Sequence, residues 1–297
     1  MEIDRNSVLL DDNTAKQVAS HSGTTPSPTP IQPSSTSSYY LDAMGETEVN
    51  RLVKSSRPEL IVLLGLNDFG KSTFAGSLYQ ILRSRGRIGN YIFIDSETFI
   101  GWERRVYLRH IESEGPSTTK RTIRGENAFL HLKMQEVNTK ENFEVVISDS
   151  SGEVYRDYIS NNELIGRDKA IAQADKLLLF VDSTKLYSRS YRSFADDYTS
   201  LMRRLKENSK LPSYAIVYLI FNKIDLKNEK DKSRTDHEEA IKKIVQDAFG
   251  GLEIIDEYID SKSLDNNQHL EDFLAMVLTP RDNQQDDTVI DWVNNEI

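Results

Sequence analysis

The feature that most constrains this chain is a glycine-bounded loop that follows a continuous apolar run. Residues 60–64 read Leu-Ile-Val-Leu-Leu, a composition typical of a strand buried on both faces of a parallel sheet. Gly65 opens the loop, and Gly70, Lys71 and Ser72 close it with the spacing of a P-loop. The backbone N–H groups of such a loop point inward at the start of a helix. We therefore expect an α/β domain that binds phosphate.

The side chains of this loop extend the prediction to a polyphosphate with a bound metal ion. Lys71 is expected to reach the β- and γ-phosphates, and Ser72 is expected to offer its hydroxyl to Mg²⁺. The position of the loop between a buried strand and a helix makes a chance match to the pattern uncommon. The predicted phosphate-contacting residues are Gly65, Asn67, Asp68, Phe69, Gly70, Lys71, Ser72 and Thr73.

Apolar runs and helical patterns alternate along the chain, and this alternation predicts the α/β class. We expect the three-layer sandwich of a P-loop NTPase, with a mostly parallel sheet and one antiparallel edge strand supplied by a hairpin at residues 138–142. The predicted strands cover residues 60–64, 91–94, 129–135, 143–148, 176–181, 214–221 and 254–259. The predicted helices cover residues 46–54, 71–85, 99–108, 194–206, 240–249 and 270–278.

A second motif, Asp-Ser-Ser-Gly at residues 149–152, follows one of these strands. A carboxylate at a strand end, here Asp149, can hold Mg²⁺ through its water shell. Gly152 leaves its backbone N–H available to the γ-phosphate. In isolation such a tetrapeptide is usually an ordinary turn, so its position after a P-loop carries the interpretation.

A third motif, Asn-Lys-Ile-Asp at residues 222–225, ends another buried run. The carboxylate of Asp225 can accept hydrogen bonds from N1–H and the 2-amino group of guanine, whereas adenine offers neither donor. The stem of Lys223 is expected to lie across the base, and Asn222 is expected to tie this loop to the P-loop. The motif thus predicts a guanine site, with a charged turn as the alternative.

These three motifs, in this order along the strands and helices, resemble the TRAFAC class of P-loop GTPases, the Ras-like group in the broad sense, over residues 58–279. The resemblance implies binding of GTP and GDP, hydrolysis of GTP with Mg²⁺, and a mobile threonine that coordinates Mg²⁺ only when the γ-phosphate is present. Thr118, Thr119 and Thr122 are the candidates, with Thr118 and Thr119 ahead of Thr122.

The same resemblance assigns the last base-contacting loop to Ser261 and Lys262, although Lys262 replaces the usual small residue. It also draws attention to Glu153, which occupies the position of a water-orienting glutamine in many Ras-like enzymes. A carboxylate accepts from the attacking water but cannot also donate to the phosphoryl group. If Glu153 faces the attacking water, intrinsic GTP hydrolysis is expected to be slow or to rely on another group. The alternative is that Glu153 faces solvent.

The P-loop departs from the Ras type at Asn67 and Asp68, which replace glycines. Side chains at these positions crowd the space through which an activator's arginine would enter. An arginine of the same chain is the alternative, although each candidate fits a surface position equally well. The candidates are Arg104, Arg105, Arg121 and Arg124.

The interval from Lys71 to Asp149 is 78 positions (149 − 71), longer than a minimal Ras-like domain needs. It includes the apolar and basic segment 99–108, followed by a Pro-Ser-Thr-Thr run. With Asp-Ser-Ser-Gly-Glu at 149–153, this segment is similar to the bacterial double-GTPase subgroup, found near conflict and phage-defence genes. An ordinary insertion that covers the sheet edge explains the same residues.

Composition divides the chain into three regions. Residues 1–45 are rich in Ser, Thr and Pro and are expected to be a disordered tail. Residues 46–279 are expected to form the GTPase domain, with an insertion around 87–125, and residues 280–297 form an acidic C-terminal tail. Because the chain has no Cys, disulfides and thiolate catalysis are excluded.

Charge and hydropathy restrict the partners. The net charge of −10 argues against nucleic-acid binding as the main function. No apolar run approaches the roughly 18 residues that a membrane span needs, and the N-terminus does not resemble a signal peptide. We therefore expect a cytoplasmic protein whose partners are a guanine nucleotide and a protein effector or activator, and the oligomeric state stays open.

Two functions fit these predictions. The first is a switch that hydrolyses GTP and changes a partner-binding face when the loops around the γ-phosphate relax. The second is a non-hydrolysing module that binds GTP or GDP as a structural ligand, with Glu153 as a sign of lost catalysis.

Overall fold

The computed structural model of the chain describes residues 41–107, 122, 128–209, 211–226, 234–262 and 267–281. Within these residues the strands are β1 (Glu59–Leu64), β2 (Arg87–Ile88), β3 (Tyr91–Asp95), β4 (Phe129–Glu136), β5 (Asn142–Ser148), β6 (Lys176–Asp182), β7 (Ile216–Asn222) and β8 (Glu253–Ile259). The helices are α1 (Glu46–Ser56), α2 (Lys71–Arg85), α3 (Phe99–Val106), α4 (Gly152–Ser160), α5 (Asn162–Gly166), α6 (Lys169–Ala172), α7 (Ser183–Leu186), α8 (Tyr191–Asn208), α9 (Arg234–Phe249) and α10 (Gln268–Leu278).

All of these strands belong to one sheet in the order β2-β3-β4-β5-β1-β6-β7-β8. The neighbours β5, β1, β6, β7 and β8 are parallel, as helical crossovers require. The pairs β2–β3, β3–β4 and β4–β5 are antiparallel. The predicted fold class is therefore confirmed. The antiparallel edge comprises three strands, because residues after α2 add β2 and β3 beside the hairpin.

The centre of the sheet is covered on both faces. Every residue of β1 and of β6 is buried, which agrees with their continuous apolar sequences. Parallel strands have their carboxyl ends at the same edge of a sheet. The loops that leave β5, β1, β6, β7 and β8 therefore emerge side by side, in that spatial order.

Helix α2 has the predicted bounds, and its ends follow from two glycines. Gly70 precedes its first residue with φ +90°, and Gly86 follows its last with φ +70°, both in the left-handed region that favours glycine. Its apolar face enters the core through Phe74, whose ring contacts the rings of Phe180 and Phe273. This packing fixes the start of α2 against the sheet.

The insertion after α2 packs as part of the domain. Helix α3 places the fully buried Trp102 parallel to the ring of Tyr79 of α2, with ring centres 5.3 Å apart. The indole Nε1 donates to the carbonyl oxygen of His131 in β4, at 2.9 Å. The strand predicted at 91–94 and the helix predicted from residue 99 are confirmed as β3 and α3. The predicted end of that helix at residue 108 lies outside the described residues.

Four short helices, α4 to α7, were not predicted. They have four to nine residues, and each begins at a side-chain cap that accepts a hydrogen bond from the first turn. Such short segments carry little periodicity, so capping and packing define them more than an apolar pattern does. The caps are Ser151, Asn161, Asp168 and Asp182.

In the described part of the chain, no helix combines the length and hydropathy that crossing a bilayer requires.

Candidate functional site

The three predicted motifs lie at one edge of the sheet. Gly65 follows β1, Asp149 follows β5 and Asn222 ends β7, all at carboxyl ends of parallel strands. Ser261 lies two residues beyond β8 at the same edge. Gly65 and Asn222, which are more than 150 residues apart in the sequence, thus lie at the same edge of the sheet.

Within the P-loop (residues 65–72), Lys71 folds back over its own loop. Its Nζ donates to the carbonyl oxygens of Gly65 at 2.7 Å and Leu66 at 3.3 Å. The side chain is buried, and Nζ lies 5.5 Å from the centre of the Tyr155 ring in α4. A cation held in this way points into the concave side of the loop, where phosphate oxygens would bind.

Asn222 joins the P-loop to the loops on the other side of the sheet. Its Nδ2 donates to the carbonyl oxygen of Phe69 at 2.9 Å, and its Oδ1 accepts from the backbone N–H of Ser261 at 3.2 Å. The side chain is fully buried, so both bonds are protected from water. A Cβ on Gly70 would overlap the Asn222 amide, which shows how closely the two loops approach.

Lys223 supplies a second connection, on the solvent side. Its backbone is left-handed, with φ 63°. Its Nζ donates to the carbonyl oxygen of Asp68 at 2.5 Å and forms an ion pair with Asp182 of β6 at 2.7 Å. The stem therefore bridges the P-loop and β6, with exposed Asp225 two residues further along in a 3₁₀ turn, Ile224–Leu226. This end of the site has the carboxylate and the aliphatic stem that a purine would contact.

At the other end of the site, the side-chain oxygen atoms of Ser72, Thr122 and Asp149 lie close together. Ser72 Oγ donates to Asp149 Oδ1 at 2.9 Å, and Thr122 Oγ1 donates to Asp149 Oδ2 at 3.0 Å. The two hydroxyl oxygens lie 3.0 Å apart, and Asp149 is fully buried. Hydroxyl and carboxylate oxygens are the donors that Mg²⁺ prefers, so this cluster fits the ion.

The described residues alone do not provide a full coordination shell. Across residues 41–107, 122, 128–209, 211–226, 234–262 and 267–281, no group of three or more His, Cys, Asp or Glu side chains comes together. Mg²⁺ is octahedral and usually combines one or two protein ligands with phosphate oxygens and water. The donor set therefore fits an ion that arrives with a polyphosphate.

Asp149 also has a cationic neighbour. The Nε of Arg105 in α3 donates to Asp149 Oδ2 at 2.9 Å, and Nη1 donates to the carbonyl oxygen of Gly101 at 3.1 Å. Arg105 is only 8% exposed. The insertion thus places a buried guanidinium beside the carboxylate that Ser72 and Thr122 also contact.

Comparison with protein families agrees with this geometry. The family model described as Double-GTPase 2 matches residues 59–278, well over half of the chain. The chain is a member of the Double-GTPase 2 family. Its predicted resemblance to P-loop GTPases, and to the double-GTPase subgroup in particular, is therefore confirmed. A search of curated protein sequences finds no match.

Two solved structures resemble this Double-GTPase 2 chain at low identity. One is translation elongation factor SelB from Methanococcus maripaludis in complex with the GTP analogue GppNHp, at 14% identity and a TM-score of 0.38. The match covers 74% of this chain and 34% of that one, so the chain spans about a third of its length. The other is the Arl6 BBS3 small GTPase from Trypanosoma brucei with bound GppNp, at 11% identity and a TM-score of 0.36, covering 73% and 95% of the two chains.

In this Double-GTPase 2 domain, the segment after β5 lies against the P-loop. A Cβ on Gly152 would overlap Asn67, so glycine is required for this approach. The Oδ1 of Asn67 is buried without a hydrogen-bond partner among the described residues. Glu153 is half-buried, and its backbone N–H donates to Ser151 Oγ at 3.3 Å. Asn67 therefore fills the space between the P-loop and the start of α4.

Tyr155 is a residue of this region that the sequence analysis missed. Its hydroxyl donates to the carbonyl oxygen of Leu63 at 2.9 Å, and its ring lies beside Lys71. Burial raises the pKa of the Tyr155 phenol well above its usual value, so the hydroxyl stays protonated and continues to donate. Asp182 was missed as well, although an aspartate at the carboxyl end of a buried strand is a recognisable signal.

Some of the remaining predicted residues lie within the described part of the chain and others lie outside it. Thr118 and Thr119, which ranked ahead of Thr122, lie outside the described residues, as do Arg121 and Arg124. Arg104 is exposed and forms an ion pair with Asp42. Thr73 lies in the first turn of α2, and the backbone N–H of Lys262 donates to Asp260 Oδ1 at 3.0 Å.

Proposed function

We propose that this chain binds GTP and GDP together with Mg²⁺, hydrolyses GTP, and acts as a nucleotide-dependent switch. One observation carries the proposal: the buried amide of Asn222 bonds both Phe69 of the P-loop and Ser261 of the loop after β8. These two hydrogen bonds hold the P-loop close to the loop after β8, the two segments to which the proposal assigns the phosphates and the base. This arrangement supports a ligand that has both a base and a polyphosphate.

In this proposal the P-loop residues and Thr73 hold the phosphates, and Lys71 neutralises the β- and γ-phosphate charge. Gly152 donates its backbone N–H to the γ-phosphate. Bound Mg²⁺ would supply electrostatic stabilisation of the charge on the phosphoryl oxygens. Its protein ligands would be Ser72 and, through water, Asp149, with the switch threonine drawn from Thr118, Thr119 and Thr122.

At the base end, Asp225 accepts from guanine N1–H and the 2-amino group, and the Lys223 stem lies along the ring. Ser261 and Lys262 complete the base loop. The ion pair of Lys223 with Asp182, at 2.7 Å, supports this arrangement because it restrains the lysine before a ligand arrives. Asp225 itself favours guanine over adenine, since only guanine offers it two donors.

Glu153 and Asn67 favour slow hydrolysis without a partner. The carboxylate of Glu153 accepts from the attacking water but carries a charge of the same sign as the phosphate. Asn67 fills the gap beside Gly152 that an activator's arginine would need. The same two residues support a second candidate function, a non-hydrolysing module that binds guanine nucleotide as a structural ligand for a protein partner.

The wider setting is part of the proposal. A switch acts on an effector or activator protein, and we propose that this one operates in the cytoplasm of a bacterium within a conflict or defence system. The support is the double-GTPase resemblance of the segment that precedes β4. Nucleic acid is not among the proposed partners, because the net charge is −10.

Single-turnover hydrolysis of bound GTP separates the two candidate functions. We expect purified protein loaded with radiolabelled GTP to release phosphate slowly, and only when Mg²⁺ is present. Lys71→Ala should weaken nucleotide binding by about 100-fold or more, because a buried charge partner of the phosphates is lost. Lys243→Ala is the matched control, since Lys243 is exposed on α9.

The contradicting outcomes are distinct. Tight GTP binding with no phosphate release above the uncatalysed rate would reject the enzyme and leave the binding module. Unchanged nucleotide affinity in Lys71→Ala would reject the phosphate assignment.

A further inference from the structure

We propose that Arg105 is the internal counter-ion of Asp149 when no metal is bound, and that it must leave this carboxylate for Mg²⁺ to enter. Arg105 is therefore a positioning residue that stabilises the nucleotide-free chain and weakens its affinity for Mg²⁺. The inference rests on the proposed function, since it concerns the metal end of the same site.

Both carboxylate oxygens of Asp149 are engaged in the structure. Oδ1 accepts from Ser72 Oγ at 2.9 Å, and Oδ2 accepts from Arg105 Nε at 2.9 Å and from Thr122 Oγ1 at 3.0 Å. Asp149 is 0% exposed. A fully buried carboxylate needs a partner of opposite charge, because desolvation penalises the charged form by several kcal/mol. Arg105 is that partner.

The direction of Arg105 is fixed by the packing of α3. Trp102 stacks on Tyr79 and donates a hydrogen bond to the backbone of β4, which holds the helix against α2 and β4. The helix start is pressed against the chain before α1, because a Cβ on Gly101 would lie 2.7 Å from the backbone nitrogen of Ala43. The Arg105 Nη1 bond to the Gly101 carbonyl restrains the guanidinium further. The ion pair is thus part of how the insertion folds.

A guanidinium and Mg²⁺ compete at such a carboxylate. Mg²⁺, or a water that links it to Asp149, needs a lone-pair site of the carboxylate, and Ser72, Arg105 and Thr122 already use three of about four. Two cations at one buried carboxylate also repel each other strongly in a medium of low polarity. Arg105 therefore opposes the ion, and its release accompanies loading of the site.

The test is the Mg²⁺ affinity of GDP-loaded protein, read from the rate of release of a fluorescent GDP analogue as free Mg²⁺ is varied. In Arg105→Gln the midpoint should move to about tenfold lower Mg²⁺, because the competing cation is lost. The Tm of the nucleotide-free protein in EDTA should fall by several degrees. The fall should be smaller with GDP and Mg²⁺, because the ion then neutralises Asp149.

Two further variants keep the test decisive. Arg51→Gln removes an arginine from an ion pair with Glu97 at the surface and should leave the Mg²⁺ midpoint unchanged. Arg105→Lys keeps the charge but loses the planar fork, so its midpoint should shift in the same direction by about threefold. If Arg105→Gln does not fold, the Mg²⁺ midpoint of Arg105→Lys provides the test instead.

The outcomes separate this inference from the proposed function. If wild-type protein binds GDP and Mg²⁺ but the Arg105 variants show an unchanged or weaker Mg²⁺ midpoint, the inference alone is overturned. If wild-type protein binds no guanine nucleotide, the proposed function fails and the inference fails with it.

Discussion

Gly70 lies where the P-loop meets the Asn222 side chain. Its φ of +90° is in the left-handed region, and a Cβ would overlap the Asn222 amide. A substitution there both strains the backbone and pushes apart the two loops that Asn222 joins. The consequences should therefore extend from stability to nucleotide binding.

We expect Gly70→Ala to lower the free energy of unfolding by about 2 kcal/mol or more and to abolish tight GDP binding. Gly86→Ala is the matched control. Its φ is +70°, but no atom lies within 4 Å of the added Cβ. That variant should lose only about 1 kcal/mol and keep its GDP affinity. Urea unfolding and fluorescent GDP titration measure both effects, and equal losses in the two variants would argue against the loop contact.

At the residue scale, only residues with a fixed position in a short motif could be assigned a definite role from the sequence. Lys71, Ser72 and Asn222 could be predicted as site residues because each has a fixed place in a motif at a strand end. Thr122 and Arg105 were named as candidates only, because their approach to Asp149 depends on how a long insertion folds. No spacing rule relates either residue to Asp149, so nothing in the sequence ranks Thr122 first.

A cluster of charged side chains lies at the amino ends of β1 and β6, at the edge of the sheet opposite the candidate site. Asp175 accepts from the backbone N–H of Leu60 at 2.7 Å and pairs with Arg281 at 2.9 Å. Glu59 and Lys176 form a second ion pair, at 3.0 Å. Burial, and then the charge of Glu59, raise the pKa of the Asp175 carboxyl to about 6.

This shift predicts a pH dependence of stability. The folded-state pKa of Asp175 lies above the usual value of 3.8, so the folded protein binds this proton more tightly than the unfolded chain. The stability contribution of the group should fall as pH rises from about 4 to about 6 and then level, by up to about 3 kcal/mol. Asp175→Asn should remove that slope from urea unfolding measured across this range. An identical slope in both proteins would contradict the assignment.

At the element scale, long periodic or apolar segments were predicted well and short capped ones were not. The bounds of α2 follow from its flanking glycines, and the buried strands follow from runs such as residues 176–181. Helices α4 to α7 depend on single caps and on tertiary contacts, with α8 for α4, α5 and α7 and with α5 and β1 for α6, which a local pattern does not contain. Strand β2 has two residues and exists only because β3 pairs with it.

The whole molecule brings five strand ends to one edge in the order β5, β1, β6, β7, β8. Sequence alternation predicted a parallel sheet, and in such a sheet the loops at the carboxyl ends of the strands lie at one edge. The three-strand antiparallel edge was beyond that reasoning, because pairing within the insertion is set by tertiary contacts such as that of Trp102 with the His131 carbonyl.

The most direct test of guanine recognition across this assembled edge is competition binding of GDP, XDP and ADP to wild-type protein and to Asp225→Asn. Wild-type protein should prefer GDP strongly. Asp225→Asn should bind GDP about 100-fold or more weakly, because one acceptor oxygen becomes an NH₂ donor and the other loses its charge, and should gain affinity for XDP, whose C2 oxygen can accept from the new amide. Wild-type protein that binds ADP as well as GDP, or a variant that keeps its GDP preference, would contradict the guanine site.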